Sequence, residues 1–332
     1  MFVRTGKMGR LIVLVYVDDL IITGDSAAEI DALKRSLHAT FAIKDLGELR
    51  YFLGIEMDQS SSGLFLNQRK YIVDLLNEAN MDHSSTAKSP LPSSLNIAEK
   101  GDPLPNIELY QRLVGKLIYL TITRPDITYA VSLVSQFMHA PNSYHFQLVK
   151  RILRYLKGSI TRGILMKKHN HFTIEGYTDS DWAGNAIDRK STTGFCTFVG
   201  GNLVTWKSKK QSVVARSSAE AEYRAMASTA CEILWLKILL SDLGIKSNKP
   251  IVLHCDNQAA MHIAANPVFH ERTKHIEVDC HFVRHQVQSN VLTTAYIRSS
   301  DQLADVFTKV LPSSQFERLL SKLGSRDSLD PA

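Results

Sequence analysis

A chain of 332 residues with 44% hydrophobic and 22% charged residues is long enough for two or three modules, each with its own core, and has an ordinary globular composition. Its formal charge of +6 is compatible with a phosphate-rich partner without establishing one. The longest apolar runs fall short of the roughly 18 residues that a membrane span needs, the first ten residues carry no secretory pattern, and Cys196, Cys231, Cys255 and Cys280 form no Cys-x-x-Cys pair, which argues for reduced core thiols rather than a disulfide framework or a zinc site.

Leu11 to Gly24 is a continuous apolar run interrupted by Asp18 and Asp19. It predicts two buried strands joined by a tight turn that carries both acids. Adjacent carboxylates at a hairpin tip are costly unless a metal or a partner neutralises them. Ser26-Ala-Ala-Glu29 is a capping box, and Ile30, Leu33, Leu37 and Phe41 follow at the spacing of a core-facing helix. Asp45 to Ile55 has strand-like composition with two glycine breaks, and Tyr71 to Ala79 is a short helix. The Ser/Pro-rich stretch Ser84 to Ser94 is the best linker in the chain, or else an extended strap over the surface. Three helices are expected beyond it, near Glu108–Thr123, Asp126–Met138 and from Asn142 or Ser143 onward. The third has an apolar face of Leu148, Ile152, Tyr155 and Leu156 and a basic face of Lys150, Arg151, Arg154 and Lys157. Such a face is usually solvated, with phosphate tracking as the minority reading.

The second half carries the chemistry. Asp179 ends the apolar run from Phe172, and Asp256 ends the run from Ile251. Glu222 lies in Ser217-Ser-Ala-Glu-Ala-Glu222, which opens a long helix, and Asp305 lies in a last helix expected from Asp301 to Lys309. Between them are strands near Thr193–Val199 and Leu203–Lys207 with a Gly200-Gly201-Asn202 turn, a short helix from Gln258 to Ala265, a helix near His275–Gln288 and a strand from Leu292 to Ile297. The order predicts a mixed sheet flanked by helices. Strand-end carboxylates facing helix carboxylates suit a two-metal nuclease, where two divalent cations relieve the bunched charge, activate water and hold the scissile phosphate. Any one of these acids alone would be surface charge more often than catalyst.

Several segments resemble copia-type LTR retrotransposon Pol polyproteins. Tyr16-Val-Asp-Asp19 is similar to the active-site hairpin of reverse transcriptases, and its longer context, Leu14 to Gly24, to the copia type. Asp45–Ile55 resembles the primer-grip region, and Leu113-Val-Gly115, Tyr119–Ile127, Ser135–Met138 and Arg151–Gly158 resemble the segment that joins polymerase to nuclease. Asp188–Gly194, Arg216–Ala225 and Lys274-His275-Ile276 are copia-like, and the resemblance extends to about Pro312.

The resemblance implies α/β and α+β architecture: a partial reverse transcriptase palm/thumb remnant over 1–83, a linker and helical connection over 84–170, and an RNase H domain over 171–312 with a mixed five-stranded sheet flanked by helices. A polar C-terminal tail, read as a frayed helix, follows over 313–332. It assigns metal ligation and catalysis to Asp179, Glu222, Asp256 and Asp305, with Asp181 behind them and Glu220 as a cap or surface acid. Asp18 and Asp19 would bind polymerase metals. The further polymerase aspartate lies upstream of the first residue, so DNA synthesis by this chain alone is not expected.

Hard carboxylate ligands imply two Mg²⁺ or Mn²⁺ ions rather than zinc. The expected partner is an RNA–DNA hybrid, recognised by its 2′-hydroxyls, and the missing upstream polymerase and integrase part of the polyprotein is a second. Arg189, Lys190, Lys207, Lys209, Lys210, Arg216, Asn257 and Gln258 are candidate nucleic-acid contacts, each with a solvated loop as the plain alternative. His270, His275 and His281 read as helix-surface or substrate-side residues, and the stretch Ile297–Ser300 lacks the histidine that many RNases H carry. The expected location is the cytoplasm, in a virus-like particle, or the nucleus. A catalytically silent remnant that only binds nucleic acid is the rival reading. An integrase-type enzyme would need a different last spacing and a His/Cys zinc module, and neither is visible.

Overall fold

The computed structural model describes residues 1–81, 83–265 and 277–327. Strands β1 (Phe2–Gly6), β2 (Gly9–Tyr16) and β3 (Asp19–Gly24) form an antiparallel meander whose second turn holds Val17 and Asp18. Helix α1 (Ala27–Thr40) follows, capped by Ser26, whose hydroxyl accepts from the Glu29 amide at 3.4 Å. The Glu29 side chain pairs with Arg4 at 3.4 Å.

Two expectations fail in this region. The strands are not buried: Leu14, Val15, Tyr16 and Leu20 are exposed, and Leu11 alone of this run is buried. Helix α1 faces no core: Ile30, Leu33 and Leu37 are half-buried, and Phe41 is exposed. The apolar stripe exists, but among the described residues no second layer covers it, so burial stops halfway.

Strands β4 (Tyr51–Phe52), β5 (Ile55–Ser60) and β6 (Gly63–Asn67) lead into α2 (Arg69–Glu78). Residues 83–97 form an ordered strap. Pro90, Leu91 and Ile97 are buried, and the Ala87 amide donates to the Arg154 carbonyl at 3.1 Å. Helix α3 (Ile107–Leu120), a 3₁₀ turn (Pro125–Ile127), α4 (Thr128–Ser135) and α5 (Ser143–Lys157) pack with α2 around a shared apolar core.

Half of the α5 basic face is spent on the strap. Arg151 donates to the Ser89 hydroxyl at 3.1 Å, and Lys157 donates to the Met81 and Ser84 carbonyls at 3.3 and 2.9 Å. A fully buried pair, Arg124 and Asp126 (2.7 Å), sits between α3 and α4, and Arg124 also reaches the Ser159 carbonyl while Tyr155 donates to Asp126. Its partners are complete, as a buried ion pair requires.

After β7 (Arg162–Lys167) comes the main sheet: β8 (Ile174–Asp181), β9 (Thr192–Val199), β10 (Asn202–Lys210), β11 (Ile251–Cys255) and β12 (Leu292–Tyr296). The spatial order is β10-β9-β8-β11-β12, with β8, β9 and β10 antiparallel and β11 parallel to both β8 and β12. Gly200 and Gly201 have φ of 58° and 76°. Two left-handed residues in a two-residue loop match the right-handed twist of the strands.

Helix α6 (Ser218–Asp242) covers one face, together with α7 (Gln258–Ala265) and α8 (Glu277–Gln288). The other face, with Tyr177, Cys196, Phe198 and Trp206, joins the core of α2–α5, and Trp206 donates to the Thr121 carbonyl at 3.0 Å.

The expected last helix is instead two 3₁₀ turns, Ser299–Asp301 and Leu303–Phe307. Gln302 separates them in an extended conformation, accepting from the Ala304 amide and donating to the Thr178 carbonyl at 3.0 Å. The helix expected after 312 is present, but residues 313–327 are packed rather than frayed. Helix α9 (Ser313–Lys322) buries Phe316, Leu319 and Leu320, and β13 (Ser325–Asp327) pairs with β7, completing a second five-stranded sheet, β13-β7-β6-β5-β4.

Candidate active site

The alternation of β8 places Asp179 on the face that receives the Leu303–Phe307 turn. Gly194, its cross-strand neighbour on β9, makes the approach possible. A Cβ there would lie 2.5 Å from Thr308 Cγ2 and 2.9 Å from Phe307 Cβ. Asp305 therefore comes beside Asp179. Glu222 enters from the second turn of α6, and Asp256 from the residue after β11. Asp179, Glu222 and Asp305 are 1%, 6% and 4% exposed, whereas Asp256 is half-buried.

Each carboxylate has a distinct set of partners. Asp179 accepts from the Thr308 hydroxyl and from Lys309 Nζ at 3.1 Å. The same ammonium donates to Asp305 at 2.7 Å, bridging the two acids. Asp256 accepts from the Ser299 hydroxyl at 2.7 Å. A ligand-type oxygen of Glu222, one of Asp256 and the sulfur of Cys255 all lie within 4.8 Å of one another. The buried Oε2 of Glu222 has no hydrogen-bond partner among the described residues.

Burial, then the charges of Asp179 and Asp256, push Glu222 up to about 9 despite a hydrogen bond from the Ser180 backbone. Burial and Asp179 raise Asp305 to about 7 against the pull of Lys309. Burial and Asp179 also raise Asp181, which stands two residues along β8. Burial pulls Lys309 down by opposing its charge, and Asp179 and Asp305 more than restore it, so the ammonium is held above its ordinary range. Burial pushes the Cys255 thiol far up, keeping it neutral, so the site's donors are carboxylate oxygens. This set suits hard divalent cations.

Glu220 is buried and structural. It accepts from the Arg216 amide at 2.8 Å and pairs with Arg224 at 3.0 Å. Asp301 pairs with Arg318 and Lys322 of α9 at 3.2 and 2.8 Å. Lys190 and Lys210 both turn to Asp188, at 3.9 and 2.9 Å. Lys207, Lys209, Arg189, Arg216 and Gln258 are exposed, and the Asn257 side chain accepts from the Ala260 amide at the start of α7. Asp18 and Asp19 sit exposed at the tip of the first meander and make no ion pair among the described residues. His281 is exposed on α8; His270, His275 and the Lys274–Ile276 motif lie outside the described residues. Of the cysteines, Cys231 is exposed, against the expectation of a core thiol. Lys309 was not singled out from the sequence, although its spacing of four from Asp305 is a signal for an ion pair. Gly194 had no local signal beyond its place in a motif.

Acids at the ends of the two central strands, on the covering helix and on the last 3₁₀ turn sit on a sheet of order β10-β9-β8-β11-β12, an RNase H-like fold. The family profile for reverse transcriptase (RNA-dependent DNA polymerase) matches residues 1–93. The retrovirus-related Pol polyprotein from transposon RE1 of Arabidopsis thaliana is 46% identical over 321 residues, covering 96% of this chain and 22% of that protein. An uncharacterized mitochondrial protein of the same plant is 47% identical over 222 residues, 67% of this chain and 92% of that one. The chain belongs to the copia-type retrotransposon Pol family, and it spans about a fifth (22%) of the RE1 polyprotein. Among solved structures, LC11-RNase H1 in complex with an RNA/DNA hybrid is similar at a TM-score of 0.32 and 15% identity, over 41% of this chain and 94% of that one. No helix among the described residues is long and apolar enough to cross a membrane.

Proposed function

We propose that this chain is a ribonuclease H, hydrolysing the RNA strand of RNA–DNA hybrids with two divalent cations, Mg²⁺ or Mn²⁺, held by Asp179, Glu222, Asp256 and Asp305. The observation that carries the reading is the buried, unpartnered Glu222 Oε2 in a cluster of four carboxylates with one lysine. Buried polar atoms rarely lack a partner, and a hard cation is the partner this donor set fits. When bound, such cations supply an activated water and neutralise the scissile phosphate.

The chain's own residues prepare the site. Thr308 fixes one oxygen of Asp179, Ser299 orients Asp256, and the Ser180 amide holds Glu222. An open groove beside Asp305, lined by Ser299, Ser300, Ser314, Gln315 and Arg318, offers hydroxyls and a guanidinium to a phosphate backbone. Lys207, Lys209, Arg189 and Arg216 are free to add phosphate contacts, which set position rather than sequence. Selection for RNA would come from its 2′-hydroxyls.

A second reading, a remnant that grips nucleic acid without cutting, is favoured by Lys309, which already neutralises Asp179 and Asp305. The test is the purified chain with Mg²⁺ or Mn²⁺ on labelled hybrid, duplex DNA and single-stranded RNA, with Asp179→Asn in parallel. Cleavage confined to the RNA of the hybrid and lost in the variant is expected. Hybrid binding without cleavage would establish the second reading.

A further inference from the structure

We infer that Lys309 is the resident counter-cation of the carboxylate cluster: its ammonium holds Asp179 and Asp305 together when divalent ions are scarce and must leave them when those ions bind. The inference rests on the two-cation reading above. The ammonium contacts one oxygen of each acid, at 3.1 and 2.7 Å, and so sits between the strand ligand and the last-turn ligand. A divalent ion held by the same two acids would stand close to this ammonium, and like charges at that range repel strongly in a partly buried site.

The lysine is built to move. Its side chain is 36% exposed, so the ammonium has a route to water. Its backbone is fixed, since the Lys309 amide donates to the Asp305 carbonyl at 3.0 Å and the neighbouring Thr308 hydroxyl holds the second oxygen of Asp179. A compact ammonium on a flexible stem suits such exchange better than a guanidinium fork does. The ammonium reaches neither of the other two acids: among the described residues Asp256 accepts from the Ser299 hydroxyl, and Glu222 Oε2 has no partner. The device therefore acts on half of the cluster, keeping it folded without metal and raising the divalent concentration needed to fill it.

The test is Mn²⁺ binding to the full chain, read by the electron paramagnetic resonance of free Mn²⁺, with metal-free melting measured beside it. Lys309→Gln is expected to bind Mn²⁺ about tenfold tighter or more, the scale of changes made next to metal ligands. Its metal-free melting temperature falls by roughly 2–4 °C, the shift of about 1 kcal/mol for a unit of this size, and saturating Mn²⁺ closes the gap to wild type. Lys309→Arg keeps the charge and stays near the wild-type affinity. Unchanged or weaker binding in Lys309→Gln overturns the inference, as does an arginine variant that binds as tightly as the glutamine one.

If Lys309→Gln does not fold, wild-type protein labelled with ¹⁵N at lysine Nζ decides. The ion-paired ammonium signal, assigned by its absence from Lys309→Arg, disappears into solvent exchange at saturating Mg²⁺. A signal that persists unchanged overturns the inference. Asp179→Asn separates the two failures. Mn²⁺ binding that needs Asp179 and ignores Lys309 overturns this inference alone; no Asp179-dependent binding in any variant overturns the two-cation reading and this inference with it.

Discussion

Two groups of acids in this chain have opposite surroundings. Asp18 and Asp19 stand in water at the tip of a sheet with almost no core, while Asp179, Glu222 and Asp305 are withdrawn between a sheet, a helix and a tight turn. The exposed pair is screened by solvent and costs the fold little. The buried set is destabilising on its own: Glu222 and Asp305 are driven toward the neutral form, and a lysine is drawn in against its own desolvation. Clustered, buried charge with an orphaned oxygen is the mark of a site prepared for a ligand. An acidic pair in a familiar motif, without burial or partners, carries no such mark.

The sharpest way to break this contrast is to neutralise one acid from each group. Asp179→Asn is expected to reduce hybrid cleavage by more than about a hundredfold, since even groups one step behind a metal ligand cost about 10–100-fold. Asp18→Asn is expected to leave the rate unchanged in the same gel assay. Equal losses would mean that both groups serve one reaction.

Core truncations sharpen the contrast between the two sheets. Leu253→Ala, at a fully buried position of β11, should cost about 2–5 kcal/mol in urea melts. Leu33→Ala, half-buried on α1, should cost about 1 kcal/mol or less.

The pH response of the metal-free protein follows from the raised carboxyls. Glu222 and Asp305 hold protons in the folded state, up to about 9 and about 7, that the unfolded chain has released by then. Their contribution to stability is full below the ordinary carboxylate range and is lost as pH climbs through these values. Melting temperature in a chelator should therefore decline between pH 5 and 9, and Glu222→Gln should flatten the slope. A melting temperature that climbs over that window would contradict the assignment.

The smallest effect is expected from Ser299→Ala, which frees Asp256 from its hydroxyl. About a tenfold loss in activity, measured at subsaturating Mg²⁺, is the expected scale.

Much of the C-terminal half was legible from residue order. Apolar runs ending in Asp179 and Asp256, a Gly-Gly turn and a capped long helix each follow local rules, and those rules agree with the tertiary structure. What escaped depended on partners distant in sequence. Ile30, Leu33 and Leu37 have core spacing, but spacing cannot supply the layer that would cover them. The turn carrying Asp305 has helical composition, yet Gln302 is held extended by the Thr178 carbonyl, far away in the chain. Ser84–Ser94 has linker composition, and its order comes from the Ser89 hydroxyl meeting Arg151 and the Ser84 carbonyl meeting Lys157 of α5. The polar end of the chain hides Phe316, Leu319 and Leu320, whose spacing marks an amphipathic helix, and its last strand is defined only by β7.

The sheet that β13 completes has a consequence for the order of assembly. Gly63 pairs with Lys167, and Ile164 pairs with Ser325, so β6, β7 and β13 meet only across long loops of chain, whereas β4, β5 and β6 are joined by local turns. Loop closure of that length slows folding. On the ribosome, β5 and β6 emerge before β7 and wait with an open edge until it has been made, and β7 waits in turn for β13. Unpaired edges of this kind are where nascent chains aggregate. The stretch of synthesis between β6 and β13 is therefore when this sheet is most exposed to wrong partners.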